Sequence, residues 1–131
     1  MKTKTIKQSV IFKASPKAVY AVIMDAKKHS AFSGSKVKMD AKVNGKFTAY
    51  DGYIEGKNLE LIPGKKIVQA WRASDWEEGY YSIVEFTFTA VKNGTKMIFI
   101  HKGVPDDQYE SIKQGWTDFY WVPMKEMIEE K

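Results

Sequence analysis

YSIVEFTFTAVKNGTKMIFIHKGVP, residues 81–105, decides the fold. Its first half alternates strictly: Ser82, Val84, Phe86 and Phe88 fall on one face, and Glu85, Thr87 and Thr89 on the other, the period-two pattern of a half-buried strand. Asn93-Gly94 then marks a tight turn, because both residues reach left-handed backbone angles at low cost. Beyond it, Met97, Phe99 and His101 face the same side as the aromatic row. This is an antiparallel hairpin with an apolar inner face.

The same turn chemistry punctuates the sequence upstream. Asn44-Gly45, Asp51-Gly52, Pro63-Gly64 and Glu78-Gly79 separate strand-like runs over 46–50, 53–62 and 65–73, with a shorter run near 36–40. Alternation of Ile6, Gln8, Val10 and Phe12 adds an amino-terminal strand. The sequence therefore predicts about seven strands. Two short helices interrupt them after the first strand. Ser15-Pro16 starts one, with serine as cap and proline at the first helical position, and Val19, Val22 and Ile23 form its buried stripe. The second spans 26–32 and ends at Ser33-Gly34-Ser35.

Downstream of Pro105 the period lengthens to three and four: Tyr109, Ile112, Trp116, Phe119 or Tyr120, Pro123, Met127. That is a long amphipathic helix, with Asp106, Asp107 and Glu110 at its positive end. Pro123 removes a bond to the carbonyl of Phe119 and predicts a kink over 119–123. Gly115 predicts a close approach of the helix to the sheet. The order of elements describes an α+β fold, an antiparallel sheet curved around a carboxy-terminal helix, in one domain over residues 1–131.

Composition excludes several function classes. With no cysteine among 131 residues, the chain is neither a disulfide scaffold, a zinc ribbon nor a thiol enzyme. No apolar run approaches the ~20 residues of a bilayer span, and the lysine-rich amino terminus has no signal-peptide pattern, so a soluble, cytoplasmic protein without membrane contact is expected. The net charge of +5 invites a nucleic-acid reading, but 20 of the 21 basic residues are lysines and Arg72 is the one arginine, whereas phosphate and base recognition favour the guanidinium fork. Residues 106–131 carry 3 basic and 7 acidic side chains, so an acidic segment complements a basic body, and no nucleic-acid partner is expected.

A family resemblance rests on the run Gly45-Lys46-Phe47, Asp51-Gly52, Ile54, Gly56, Leu59-Glu60-Leu61, Pro63-Gly64, Trp71-Arg72, Trp76, Gly79 and Ser82. It continues with Asn93-Gly94-Thr95, His101, Gly103-Val104-Pro105, Gly115-Trp116 and Tyr120. Together these residues resemble the carboxy-terminal domain of the activator of heat-shock protein 90 ATPase, a branch of the START-like, Bet v 1-like (SRPBCC) helix-grip superfamily. The resemblance implies a helix-grip domain that works as a binding module on a chaperone or its clients. It also implies kinship with proteins that hold small apolar ligands between sheet and helix. Fold alone does not choose between these roles.

The candidate cavity between sheet and helix is lined by Phe47, Trp71, Val84, Phe86, Phe88, Met97, Phe99, Trp116 and Tyr120, with Gln69, Ser82 and His101 as polar contacts. These aromatics either fill a core or line a pocket. His101 either orients a ligand or is a core-edge histidine bonded to a backbone carbonyl. Trp76, in the acidic loop Asp75-Trp76-Glu77-Glu78-Gly79, is either a partner-binding anchor or a lid over the end of the barrel. No motif for a nucleophile, phosphate loop, dinucleotide or metal is present, so no cofactor and no catalytic residue is expected; cyclase-like chemistry is a third, lesser reading.

Overall fold

The computed structural model describes residues 2–129. Strand β1 (Thr3–Phe12) leads into helices α1 (Pro16–Met24) and α2 (Ala26–Ser33). Strands β2 (Lys38–Met39), β3 (Lys46–Ala49), β4 (Ile54–Ile62), β5 (Lys66–Ala73), β6 (Ser82–Val91) and β7 (Gly94–Pro105) follow. The chain ends in α3 (Tyr109–Trp116), a π-helical turn over Thr117–Trp121, and α4 (Val122–Glu129). All seven strands form one antiparallel sheet in the order β1-β7-β6-β5-β4-β3-β2, gripping the carboxy-terminal helix. The expected fold class is the observed one.

Local chemistry places the elements. Ser15 caps α1 by accepting from the amide of Ala18, Pro16 stands at the first helical position, and Gly34 closes α2 in the left-handed conformation. Asn44 and Asn93 both take positive φ at their turns. Strand β7 runs on to Pro105, paired with β1 as far as Thr3 opposite Pro105.

The inner face of the sheet carries Phe86 opposite Phe99, Val84 opposite His101 and Phe88 opposite Met97, all buried. Onto that row the helix lays Trp116, Tyr120, Trp121 and Met124. Where the sequence predicts a kink, the helix carries a π-helical turn ending two residues before Pro123. Because Pro123 has no N–H for the carbonyl of Phe119, that carbonyl accepts instead from the hydroxyl of Tyr50, at 3.1 Å. Glutamine Gln8 ties the turn to β1: its Oε1 accepts from Trp121 Nε1 at 2.7 Å and its Nε2 donates to the carbonyl of Lys113 at 3.4 Å.

Trp76 is not an exposed anchor. Arg72 points to the outer face, where its Nη2 donates to the carbonyl of Trp76 at 2.9 Å and its Nε to that of Tyr80 at 3.3 Å. Drawn in by these bonds, the 74–81 loop folds back over the end of the sheet and buries the Trp76 indole against Trp71, with ring centroids 5.5 Å apart. The indole N–H is satisfied by Gln108 Oε1 at 2.8 Å. Of the two readings of this residue, the structure has the lid.

Arg72 also meets Glu55 at 3.5 Å and is itself buried. A lysine cannot reach several carbonyls with one ammonium. Arg72→Lys should therefore lose about 2 kcal/mol or more of unfolding free energy in urea titrations. It should also raise iodide quenching of tryptophan fluorescence as the loop carrying Trp76 lifts; an unchanged stability and quenching constant would show that the loop is held by other contacts.

Candidate functional site

The helix does not fill the whole concavity of the sheet. Between the Tyr50–Tyr53 segment and the helix lies a cleft of about 320 Å³. Tyr50, Tyr53, Ile54 and Trp71 form the sheet side; Ser111, Ile112, Gly115, Trp116, Phe119 and Tyr120 form the helix side. Its mouth is edged by the exposed rings of Tyr53 and Phe119, and the Tyr50 hydroxyl bonded to the Phe119 carbonyl spans it like a strap. Tyr50, Asp51 and Gly52 all have positive φ, at 51°, 55° and 95°. Two consecutive non-glycine residues in that region store strain, a feature that gathers at functional sites.

The expected close approach of Gly115 to the sheet is absent. A Cβ built there would meet only a carbon of the Phe119 ring, at 3.8 Å. A mid-helix glycine costs about 1 kcal/mol against alanine, and here no backbone contact requires it. What the missing side chain leaves open is the cleft.

The structure distributes the twelve candidate cavity residues over several places. Trp71, Trp116 and Tyr120 line the cleft. Val84, Phe86, Phe88, Met97 and Phe99 are buried beneath them and fill the core with edge-on and tilted ring contacts, such as Phe99 to Trp116 at 4.5 Å. Phe47 lies with its ring over Gly56, where any Cβ would clash with it at 2.6 Å. Gln69 is at the other end of the sheet, donating to Asn58 Oδ1 at 3.0 Å, while Asn58 Nδ2 holds the carbonyls of Asp40 and Lys42.

Ser82 and His101 form a fully buried pair behind Trp116. The indole N–H of Trp116 donates to His101 Nδ1 at 3.1 Å, so that nitrogen is the acceptor and Nε2 carries the proton. His101 Nε2 therefore donates to Ser82 Oγ at 2.7 Å, and the Ser82 hydroxyl donates to the carbonyl of Trp71 at 2.7 Å. This order is the reverse of a nucleophile activated by a base, in which the serine gives its proton to the imidazole. Burial lowers the His101 pKa to about 3, so the ring stays neutral. The backbone carbonyl expected as its partner is replaced by these two side chains.

A second buried imidazole supports the cleft wall. His29 Nδ1 donates to the carbonyl of Ile23 at 3.0 Å, which leaves Nε2 to accept from the Tyr120 hydroxyl at 2.9 Å. Burial lowers His29 to about 4, raises Tyr50 to about 12, and raises Tyr120 further, with Tyr50 adding to it. No periodicity singles out His29 or Tyr50, which meet the helix only through tertiary packing, or Tyr53, which lines the cleft and bonds Asp75. Ile112, Gly115 and Phe119 are legible as helix positions but not as lining.

Residues 13–129 match the family described as "Activator of Hsp90 ATPase homolog 1-like protein". This chain belongs to that family. An activator of 90 kDa heat shock protein ATPase homolog from Dictyostelium discoideum is 38% identical over 87% of this chain. The human activator homolog 1 is 30% identical over 93% of it. The aligned part is only 30% and 36% of those proteins, so the chain spans about a third of the curated relatives it matches. A crystal structure from Plasmodium falciparum, described as an HSP90 activator, superposes with a TM-score of 0.88 at 31% identity, over 96% of both chains. The Aha1 dimer from Colwellia psychrerythraea shares the fold, with a TM-score of 0.83 at 20% identity. In this chain Trp71-Arg72, Trp76 and Gly115-Trp116 form the sheet end, its lid and the cleft wall.

Both histidines have folded-state pKa values below the unfolded value near 6.5, so from pH 6.5 down to about 4 the unfolded chain binds the extra protons. Stability should fall by about 1.4 kcal/mol per pH unit for each histidine across that window. Nitrogen-15 spectra should show His101 protonated at Nε2 and His29 at Nδ1, both neutral at pH 5. An imidazolium signal from the folded protein at pH 5 would contradict these bonds. Gly115→Ala should raise the unfolding free energy by up to about 1 kcal/mol, whereas a loss would reveal a backbone approach.

Proposed function

We propose that this protein is a non-catalytic binding module that docks on a chaperone of the 90 kDa heat-shock class and modulates its ATPase cycle. The observation that carries the reading is the likeness to the Plasmodium falciparum HSP90 activator over 96% of both chains. Binding rather than catalysis is supported by the reversed proton order of Ser82 and His101, which leaves the serine no base.

The cleft supports a second function in the same protein, the holding of a small, mostly apolar ligand. Gly115 favours it, because the helix forgoes about 1 kcal/mol there and gains open volume. Such a ligand would lie on Trp71, Ile112 and Trp116, and meet hydroxyls of Ser111 and Tyr50 at the mouth.

ATP turnover by the host's own 90 kDa heat-shock-class chaperone, measured with increasing amounts of this protein, should change in a saturable way. A flat rate, with no complex in sedimentation velocity, would overturn the chaperone reading. Native mass spectrometry of protein purified from its host should show a bound mass that Gly115→Leu loses while folding normally; identical apo spectra would leave the cleft without a ligand role.

A further inference from the structure

The sheet has a second face, and its chemistry is unlike that of the cleft. In the β3–β4 pairing Lys46 stands directly opposite Lys57, and in the β2–β3 pairing Lys38 stands opposite Thr48. All three lysines are exposed on the outer face. Like charges directly opposed across an antiparallel pair are destabilising, and among the described residues neither Lys46 nor Lys57 has a carboxylate within 4.0 Å. The nearby acids are already engaged. Glu55 meets Arg72 and accepts from the Tyr81 hydroxyl at 3.4 Å, and Glu60 pairs with Lys66 at 3.4 Å.

Between the opposed lysines and Tyr81 runs a groove of about 520 Å³ with Ala70 on its floor. The β4 strand bulges between Asn58 and Glu60, and the extra residue, Leu59, stands 38% exposed on the groove wall; Tyr81, which also lines the groove, is 44% exposed. The patch thus presents unpaired positive charge around an apolar slot. A partner that neutralises the lysines and buries Leu59 and Tyr81 gains on both counts.

We propose that this outer-face groove docks an extended acidic segment of a protein partner, carboxylates on Lys46 and Lys57 and one apolar side chain against Leu59 and Tyr81. Charge complementarity favours a carboxylate-rich peptide over a nucleic acid, because the guanidinium of Arg72, the one arginine, is turned to loop carbonyls and Glu55. The inference rests on the reading that this chain works by docking on a protein, and it is independent of the cleft.

The test uses a fluorescein-labelled synthetic peptide of aspartate and glutamate with one central leucine, followed by anisotropy. Lys57→Glu should weaken binding by about tenfold or more and, by turning a repulsive cross-strand pair into an attractive one, leave the melting temperature equal or higher. Leu59→Ser should also weaken binding, while Lys92→Glu, the same charge change at the distant β6–β7 turn, should leave affinity within about twofold. Equal losses for Lys57→Glu and Lys92→Glu would overturn the site as mere bulk charge. Tighter binding of a single-stranded oligonucleotide of equal charge at the same residues would overturn the peptide assignment. If the peptide binds as expected but chaperone ATPase does not respond to this protein, the groove stands and the chaperone reading falls. If the ATPase responds identically to wild type and Lys57→Glu, and the peptide does not bind, the groove falls alone.

Discussion

One buried hydrogen bond, from the Trp116 indole to His101, governs the rest of this structure. A buried indole N–H without an acceptor costs a desolvation penalty of about 1–3 kcal/mol, and on the inner face of the sheet His101 of β7 is the acceptor that Trp116 meets. Meeting it fixes the rotation of the carboxy-terminal helix about its axis and its position along the sheet. It also sets the imidazole tautomer, and through Ser82 the proton order that ends on the carbonyl of Trp71. With Trp116 turned inward onto His101, Ser111, Ile112 and Gly115 turn to the cleft. The open volume is a consequence of where the indole had to go.

Pro123 then decides how the helix continues. A regular helix places consecutive residues about 100° apart, so Tyr120 and Trp121 would compete for one inward position. The π-helical turn admits both, with Tyr120 directed to His29 and Trp121 to Gln8. The same proline leaves the Phe119 carbonyl for Tyr50, and that bond draws the left-handed Tyr50–Gly52 segment across the mouth of the cleft. A residue that lowers helix stability thus accompanies three contacts, from Tyr120 to His29, Trp121 to Gln8 and Tyr50 to the Phe119 carbonyl.

How legible this was in the residues depends on the range of the determining interaction. Strands and turns are short-range matters: alternation at 82–88 and the asparagines at 44 and 93 report backbone preferences carried by the residues themselves. So does the placement of the irregular turn before Pro123. Trp76 escapes that logic, since an indole in an acidic loop is buried only because Arg72, four residues earlier, collects the loop's carbonyls. The lining of the cleft escapes it too. Phe86 and Phe99 have the right type and face to line a cavity, but whether they line or fill it turns on volumes summed over the whole interior. Tyr50 and His29 reach the helix from segments about 70 and 90 positions away in the chain, beyond any local pattern.

The two faces of the sheet are joined at adjacent residues. Trp71 and Arg72 point in opposite directions from β5, the first lining the cleft and touching the lid, the second outside, holding the loop's carbonyls and Glu55. Close packing leaves little slack between the two faces at this point. On the outer side Arg72 meets Glu55, which shares the groove with Lys57 and Tyr81. The Trp-Arg dipeptide makes the sheet a wall with a contact on each side, and the lid loop is fastened to both.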